Sequence, residues 1–158
     1  RFFTEMLGKM YEEYSDEMFS IIMIDLDHFK RINDTYGHQS GNSVLCGVAA
    51  RLLSIVRDTG LVARYGGEEF IILLPNTDGP KAYEVAEDIR VRLSNEPFII
   101  QADRSNDSRR LIHITASIGL ATAPYQGEDP MSLIRNADRA MYSGAKQQGR
   151  NRVATYTG

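Results

Sequence analysis

The sequence contains very little cysteine, and its single thiol, Cys46, cannot form a disulfide framework within the chain. This composition fits a reducing compartment, and the apolar helical stretch around Cys46 predicts that this residue lies in the core. The sequence also has no signal peptide and no apolar run long enough to cross a membrane. We therefore expect a cytoplasmic domain, although a longer protein containing it could be anchored in a membrane.

A strong charge of either sign is also lacking. The chain carries 18 lysines and arginines against 21 aspartates and glutamates, and its basic residues are scattered until the C-terminus. Because a nucleic-acid-binding surface needs clustered basic side chains, we predict no nucleic-acid partner. A length of 158 residues with 42% hydrophobic residues predicts one globular domain with a substantial core. Since a predicted helix already includes Phe2 and Phe3, we expect a piece cut at its N-terminal end from a longer protein.

The hydrophobic pattern predicts alternating helices and strands. Helices are predicted at 2–14, 40–57, 81–93 and 129–149, and a polar loop is predicted at 102–110. Strands are predicted at 19–26, 61–65, 68–74, 98–100 and 112–121. Ser40 or Asn42 could cap the second helix, and Asp129 with Pro130 favours the start of the last. The order of elements favours an α/β (α+β) fold in which helices flank a mainly antiparallel sheet.

The most informative segment is the turn Arg64–Phe70, whose sequence is RYGGEEF, followed by a run of four apolar residues. Two successive glycines between strands predict a tight hairpin, because glycine reaches positive φ without steric cost. Glu68 and Glu69 then lie at the start of a strand predicted to be buried. Carboxylates in such a place are costly unless a cation compensates their charge, so the turn predicts a metal site.

A second acidic pair, Asp25 and Asp27, lies at the end of the apolar strand 19–26. The period of two places both carboxylates on one face of the strand and Leu26 on the other. Mg²⁺ prefers hard oxygen ligands and keeps waters and substrate phosphates, and two-metal phosphoryl-transfer sites take carboxylates from neighbouring strands. The pair alone fits a solvated strand end equally well, but together with the acidic turn it favours a metal site.

Polar side chains that could contact a nucleotide follow this strand. Lys30 lies within reach of a phosphate near the acidic strand end, and Asn33 offers the donor and the acceptor that base recognition requires. His38 has no histidine at zinc-binding spacing and suits a structural or substrate-contacting role. Near the C-terminus, Lys146 and Arg150 are spaced one helical turn apart, either as phosphate ligands or as favourable charges at a helix end.

Three motifs in this order resemble the GGDEF family of diguanylate cyclases, in its GGEEF variant. They are Asp25-x-Asp27-x-Phe29-Lys30-x-x-Asn33-Asp34-x-x-Gly37-His38-x-x-Gly41, the turn Arg64–Phe70, and Met141-Tyr142-x-x-Ala145-Lys146-x-x-Gly149-Arg150-Asn151. The resemblance covers essentially the whole chain. It implies a single GGDEF domain over residues 1–158 with the palm-like fold of nucleotide cyclases.

The resemblance implies a nucleotidyltransferase that joins two GTP molecules into cyclic di-GMP and releases two pyrophosphates. Its metal ligands would be Asp25, Glu68, Glu69 and the backbone carbonyl of Leu26, with Mg²⁺ bound or Mn²⁺ in its place. Glu68 or Glu69 would also help to activate the ribose 3′-hydroxyl.

The same resemblance assigns the substrate contacts. Asn33 and Asn42 would read the guanine edge with His38 nearby, and Lys30, Lys146 and Arg150 would hold phosphates. Because each domain of this family holds one nucleotide, a homodimer is expected to be needed for catalysis. A sensor domain is expected on the N-terminal side.

Two departures from the family pattern concern product and regulation. The family usually has aspartate at position 42, which accepts from guanine N1–H and N2–H₂ together, whereas Asn42 offers one acceptor oxygen and a donor. Asn42 therefore leaves open a promiscuous synthase that also accepts ATP and makes cyclic AMP-GMP. The inhibitory motif Arg-x-x-Asp is represented by Arg57 with Gly60 in place of the aspartate, so tight feedback inhibition is not expected.

A catalytically silent GTP-binding or dimerisation module is the remaining alternative. Silent members of the family usually lose the acidic turn and keep the inhibitory motif. This chain has the opposite pattern, which favours the enzyme.

Overall fold

The computed structural model describes residues 2–13, 18–101 and 109–158. Its elements are α1 (Phe2–Glu13), β1 (Phe19–Leu26), α2 (Phe29–Tyr36), α3 (His38–Val56), a 3₁₀ turn (Arg57–Thr59), β2 (Leu61–Arg64), β3 (Glu69–Leu74), α4 (Gly79–Asn95), β4 (Phe98–Gln101), β5 (Arg109–Ile112), β6 (Ala116–Ala123), α5 (Pro130–Arg139), a π-helix (Ala140–Lys146) and β7 (Arg152–Thr155). Most of the predicted loop at 102–110 lies outside the described residues. None of the described helices is both long and apolar enough to span a bilayer.

Five of the strands form one sheet in the order β2-β3-β1-β6-β7. All neighbouring pairs are antiparallel except β6 and β7, which run parallel. Strand β1 lies at the centre of this sheet and is buried along its whole length. The predicted mainly antiparallel sheet flanked by helices is therefore confirmed, and so is the hairpin that joins β2 to β3.

The predicted strand at 112–121 was wrong as one element. Strand β5 pairs with β4 in a separate two-stranded ribbon, whereas β6 pairs with β1 in the main sheet. Ile112, Ile114 and Ala116 are all buried, so the alternation of buried residues continues across the break. The hydrophobic pattern therefore could not reveal where one strand ends and the next begins.

The core has two parts, one on each face of the sheet. Ile22, Ile24 and Leu26 pack into the cluster formed with α2, α3 and α4. Ile21 and Met23 face the other way and pack with α1, α5 and the π-helix. Continuing this alternation places Asp25 on the face covered by α1 and α5, opposite Leu26, as the period of two predicted.

Helix α3 corrects two expectations. It begins at His38, after Gly37 with a φ of 92°, and has no side-chain cap, so neither Ser40 nor Asn42 caps it. Cys46 is exposed, and its prediction as a core residue was wrong. The buried stripe of α3 lies on the other side of the helix, and single-residue hydrophobicity did not distinguish the two sides.

The last helical segment begins as predicted but ends earlier. Asp129 caps it, its side chain accepting a hydrogen bond from Ser132 N at 2.8 Å, and Pro130 occupies the first turn. The helix then widens into the π-helix and ends at Lys146 rather than at Gly149. Short π-helical insertions often occur at functional sites.

Candidate active site

The register of the sheet brings the two acidic segments together. Asp25, near the end of β1, is paired with Glu69 on β3 and with Ser117 on β6. The next residue, Leu26, donates its backbone N–H to the carbonyl oxygen of Glu68 at 3.3 Å. The carboxylates of the RYGGEEF turn and of β1 therefore lie at the same end of the central strands.

Asp25 has one engaged and one free carboxylate oxygen. The residue is 5% exposed, and its Oδ2 accepts a hydrogen bond from Lys146 Nζ at 2.9 Å. Its Oδ1 is buried and has no hydrogen-bond partner among the described residues. A buried, unpartnered carboxylate oxygen is costly unless it meets a cation, so this atom fits a metal ligand.

The carboxyl groups around Asp25 raise one another's affinity for protons. Burial raises the pKa of Glu68, and the negative charge of the neighbouring Asp25 raises this pKa further. Burial and then Asp25 likewise raise the pKa of Glu69 and that of Asp138. Asp138, on α5, was not identified from the sequence, because only tertiary packing brings it near β1. The cluster carries an excess of negative charge that a divalent cation would relieve.

The donor set suits Mg²⁺ better than a metal held by protein side chains alone. Within the described residues, no group of three or more histidine, cysteine, aspartate or glutamate side chains is arranged to enclose a metal. Mg²⁺ is commonly held by one or two carboxylates together with waters and substrate phosphates. Asp25, Glu68 and the carbonyl of Leu26 fit this kind of site, with Glu69 beside them.

The glycines of the turn have a different role from the one predicted. Neither Gly66 nor Gly67 is among the glycines with positive φ in the described part of the chain. A Cβ on Gly66 would lie 2.6 Å from Glu69 Oε1, whereas a Cβ on Gly67 would meet open space. The N–H groups of Tyr65 and Gly66 donate to the Glu69 carbonyl at 2.8 and 3.3 Å. Gly66 therefore allows the Glu69 side chain to lie against the turn.

The predicted phosphate ligands at the C-terminus line one cavity. Its volume is about 750 Å³, and its lining includes Tyr142, Lys146 and Arg150. Arg150 follows the helix in a left-handed conformation with a φ of 66°, so the prediction that it shares a helical face with Lys146 was wrong. The hydrogen bond to Asp25 raises the pKa of Lys146, which keeps this side chain charged beside the cavity. Lys30, exposed on α2, is not among the lining residues of this cavity.

The predicted base-reading residues meet where α2 joins α3. The half-buried Asn33 lies so close to Gly41 that a Cβ on this glycine would lie 2.9 Å from Asn33 Cγ. Asn42 follows Gly41 directly, and both Asn42 and His38 are exposed near the start of α3. The structure therefore brings Asn33 to the helix end that carries these two side chains.

Gly60 is packed too tightly to be replaced by the family's aspartate without movement. A Cβ at this position would overlap the carbonyl oxygen of Leu73 and would lie 2.9 Å from Leu74 Cδ2. Arg57 is exposed at the end of α3, and its Nε donates to the carbonyl of Ser54 at 3.0 Å. Arg57 is thus exposed, whereas a side chain at position 60 would meet the backbone of β3.

A second large cavity, of about 720 Å³, lies at the opposite end of β1. Polar groups in its lining are already hydrogen-bonded within the fold: Thr122 Oγ1 to Ser20 Oγ at 2.8 Å, and Gln126 Oε1 to Thr122 N at 2.9 Å. The carboxylates and cations described above are not in its lining. The candidate active site is therefore the acidic end of the sheet.

Known proteins are similar to this chain in both sequence and fold. The sequence matches the family described as diguanylate cyclase, GGDEF domain, over residues 1–152. It is 44% identical over 156 residues to diguanylate cyclase A of Treponema denticola, a match that covers 96% of this chain. The structure is similar to the GGDEF domain of PA1120 (YfiN or TpbB) from Pseudomonas aeruginosa, with a TM-score of 0.88, 32% identity and coverage of 99% of this chain and 94% of that one. It is also similar to the GGDEF domain of DgcB from Caulobacter crescentus in complex with c-di-GMP, with a TM-score of 0.87, 33% identity and coverage of 99% and 86%.

The chain spans 40% of the length of the Treponema denticola protein, so the comparison concerns one part of that relative. The family match, the similar sequence and the similar structures all indicate one family. The chain belongs to the GGDEF family of diguanylate cyclase domains.

Proposed function

We propose that this chain is an active diguanylate cyclase domain that condenses two GTP molecules into cyclic di-GMP and two pyrophosphates. The observation that carries the proposal is the free, buried Oδ1 of Asp25 between the acidic turn and the charged Lys146. Bound there, Mg²⁺ would lower the basicity of the attacking 3′-oxygen and offset charge on the phosphates. Mn²⁺ offers the same kind of coordination to these oxygen ligands.

The chain's own residues would orient the nucleotide and move a proton. Asn33 and Asn42 would hold the base at the junction of α2 and α3. Lys146 and Arg150 would lie on the side of the leaving pyrophosphate, where their charge is most useful. A carboxylate whose pKa is raised, as for Glu68 and Glu69, suits acceptance of the proton of the 3′-hydroxyl.

The proposal is tested by incubating the chain with Mg²⁺ and GTP and identifying the products by mass spectrometry. Because each domain would hold one nucleotide, two chains must face each other, and the rate per chain is expected to rise about in proportion to chain concentration while dimers are rare. A matched series at fixed GTP and varied protein concentration measures this. Absence of any cyclic dinucleotide contradicts the proposed cyclase activity. A rate per chain that does not depend on protein concentration contradicts the requirement for a dimer.

Asn42 favours a second candidate, a synthase that also accepts ATP and makes cyclic AMP-GMP. Replacing Asn42 with aspartate is expected to shift the product of a GTP-plus-ATP mixture towards cyclic di-GMP by about tenfold. The reason is that a bidentate contact to a base edge discriminates by about 1–3 kcal/mol. Ser43→Asp, which adds the same charge to the neighbouring exposed position, is the control and should leave the ratio unchanged. Equal product ratios in wild type and Asn42→Asp would remove Asn42 from the specificity of the enzyme.

A silent GTP-binding or dimerisation module is disfavoured because Asp25, Glu68 and Glu69 are all present. A single domain over residues 1–158, a sensor domain on the N-terminal side and a cytoplasmic location remain predictions.

A further inference from the structure

Asp27, the second carboxylate at the end of β1, has different partners from Asp25. It is 5% exposed, and its Oδ1 accepts a hydrogen bond from Ser117 Oγ at 2.7 Å. Its Oδ2 accepts from Thr115 Oγ1 at 2.7 Å and from the backbone N–H of Asn151 at 3.0 Å. Both carboxylate oxygens are therefore engaged by protein donors, unlike Oδ1 of Asp25.

The N–H that Asp27 accepts belongs to an unusual segment. Gly149, Arg150 and Asn151 all have positive φ, at 117°, 66° and 45°. Two successive non-glycine residues in this conformation are strained, so the surrounding contacts must hold them. Arg150 N donates to Ala145 O at 3.0 Å, and Asn151 Oδ1 accepts from Arg90 Nη1 at 3.1 Å. A further contact is the one with Asp27.

The Asp27 contact joins this segment to the strand that carries Asp25. A hydrogen bond from a backbone N–H to a carboxylate is stronger than one between neutral groups. Arg150, in the middle of the segment, lines the cavity that also contains Lys146. Its Nε is buried and has no hydrogen-bond partner among the described residues. The backbone conformation at Arg150 sets the direction in which its side chain leaves the main chain.

We propose that Asp27 is a positioning residue that holds residues 149–151 in the left-handed conformation and thereby presents Arg150 to the phosphates of the substrate. This inference rests on the proposed function, in which Arg150 binds phosphate. The alternative is that Asp27 is a second metal ligand beside Asp25. The three donors on Asp27 oppose this alternative, because they occupy three of the roughly four lone-pair directions in which a cation could bind the carboxylate.

The test uses Mg²⁺ with inorganic pyrophosphate and needs no turnover. Asp27→Ala is expected to weaken pyrophosphate binding, measured by calorimetry, by about tenfold or more, which corresponds to about 1.4 kcal/mol. Thr115→Val is the matched control, because it removes one hydrogen bond from Asp27 but leaves the bond to Asn151. Its pyrophosphate affinity should stay within about twofold of wild type. Asp27→Asn keeps an acceptor for the Asn151 N–H, so its pyrophosphate affinity should lie between those of Asp27→Ala and Thr115→Val.

Hydrogen exchange of the Asn151 amide, compared with exchange of core amides in the same variant, separates a local effect from a general loss of stability, which would speed exchange throughout the chain. The amide should be protected in wild type and in Thr115→Val, and should exchange faster in Asp27→Ala. If Asp27→Ala does not fold, Asp27→Asn takes its place: faster exchange of the Asn151 amide in Asp27→Asn than in Thr115→Val supports the positioning role.

Three results would overturn the inference, and they can be told apart. Wild-type pyrophosphate affinity together with a protected Asn151 amide in the Asp27 variants overturns the positioning role alone. If Asp27→Ala and Asp27→Asn lose pyrophosphate affinity equally, and Mg²⁺ alone no longer raises their melting temperatures, Asp27 is a metal ligand instead. A wild-type chain that does not bind pyrophosphate overturns the proposed function and this inference with it.

Discussion

Replacing Glu68 with glutamine is expected to abolish cyclic dinucleotide synthesis and, without Mg²⁺, to make the chain more stable to heat. The loss of activity should be about 10²–10⁴-fold, the usual contribution of a positioned acid or base, since Glu68 is proposed both to bind the metal and to serve the 3′-hydroxyl. The gain in stability arises because the substitution removes one of several carboxylates that repel one another around Asp25.

The effect on stability has a definite dependence on pH. Because burial and Asp25 raise the pKa of Glu68 above its ordinary value of 4.5, the folded state binds this proton more tightly than the unfolded chain does. The corresponding stability is present below about pH 4.5 and is lost as the pH rises through the raised pKa. In EDTA the melting temperature of wild type should therefore fall over this range, and that of Glu68→Gln should fall less. Mg²⁺ should raise the melting temperature of wild type more than that of the variant.

Melting curves between pH 4.5 and 8, with EDTA or with Mg²⁺, measure this behaviour. Glu12→Gln on α1 is the control, because it removes an exposed carboxylate from another part of the chain. A Glu68→Gln variant that is less stable than wild type in EDTA at neutral pH would contradict the excess of negative charge at this site. Retained synthesis would remove Glu68 from the catalytic residues.

The sequence predicted those parts of the fold that depend on local pattern. The apolar run of β1 predicted a central buried strand, and the paired glycines predicted the hairpin between β2 and β3. The break between β5 and β6 was not predictable, because Ile112 and Ile114 keep the alternation of buried residues through it. The exposure of Cys46 was missed for a related reason, since packing decides which face of α3 is buried.

The candidate site was predictable to the extent that its chemistry is carried by short motifs. Asp25 and the glutamates of the turn could be placed together, because they lie at the ends of strands that pair. Asp138 depends on how α5 crosses the sheet, and no local pattern indicates it. The spacing of Lys146 and Arg150 indicated a shared helical face, but the π-helix ends at Lys146. Their meeting at one cavity depends on the left-handed segment that Asp27 contacts, which the sequence did not reveal.

Gly119 is expected to be the glycine whose replacement by alanine most disturbs the packing behind this site. It lies in β6, where a Cβ would overlap the Met141 amide nitrogen and the Ala137 carbonyl oxygen and would lie 2.7 Å from Met141 Cα. All three atoms belong to backbone, so no side-chain rotation can relieve the overlap. The π-helix would have to move away from the sheet, and overpacking of this kind usually costs about 1–3 kcal/mol or more.

The displacement should also affect function, because the same π-helix ends in Lys146, which contacts Asp25 at 2.9 Å. We therefore expect Gly119→Ala to lower the free energy of unfolding, measured with urea, and to weaken pyrophosphate binding at temperatures where the variant is still folded. Gly8→Ala on α1 is the matched control: its Cβ would meet nothing within 4 Å. Because alanine is the better helix former, the control should be more stable by about 0.5–1 kcal/mol. Equal stability of Gly119→Ala and wild type would contradict the close approach of the π-helix to β6, on which the position of Lys146 depends.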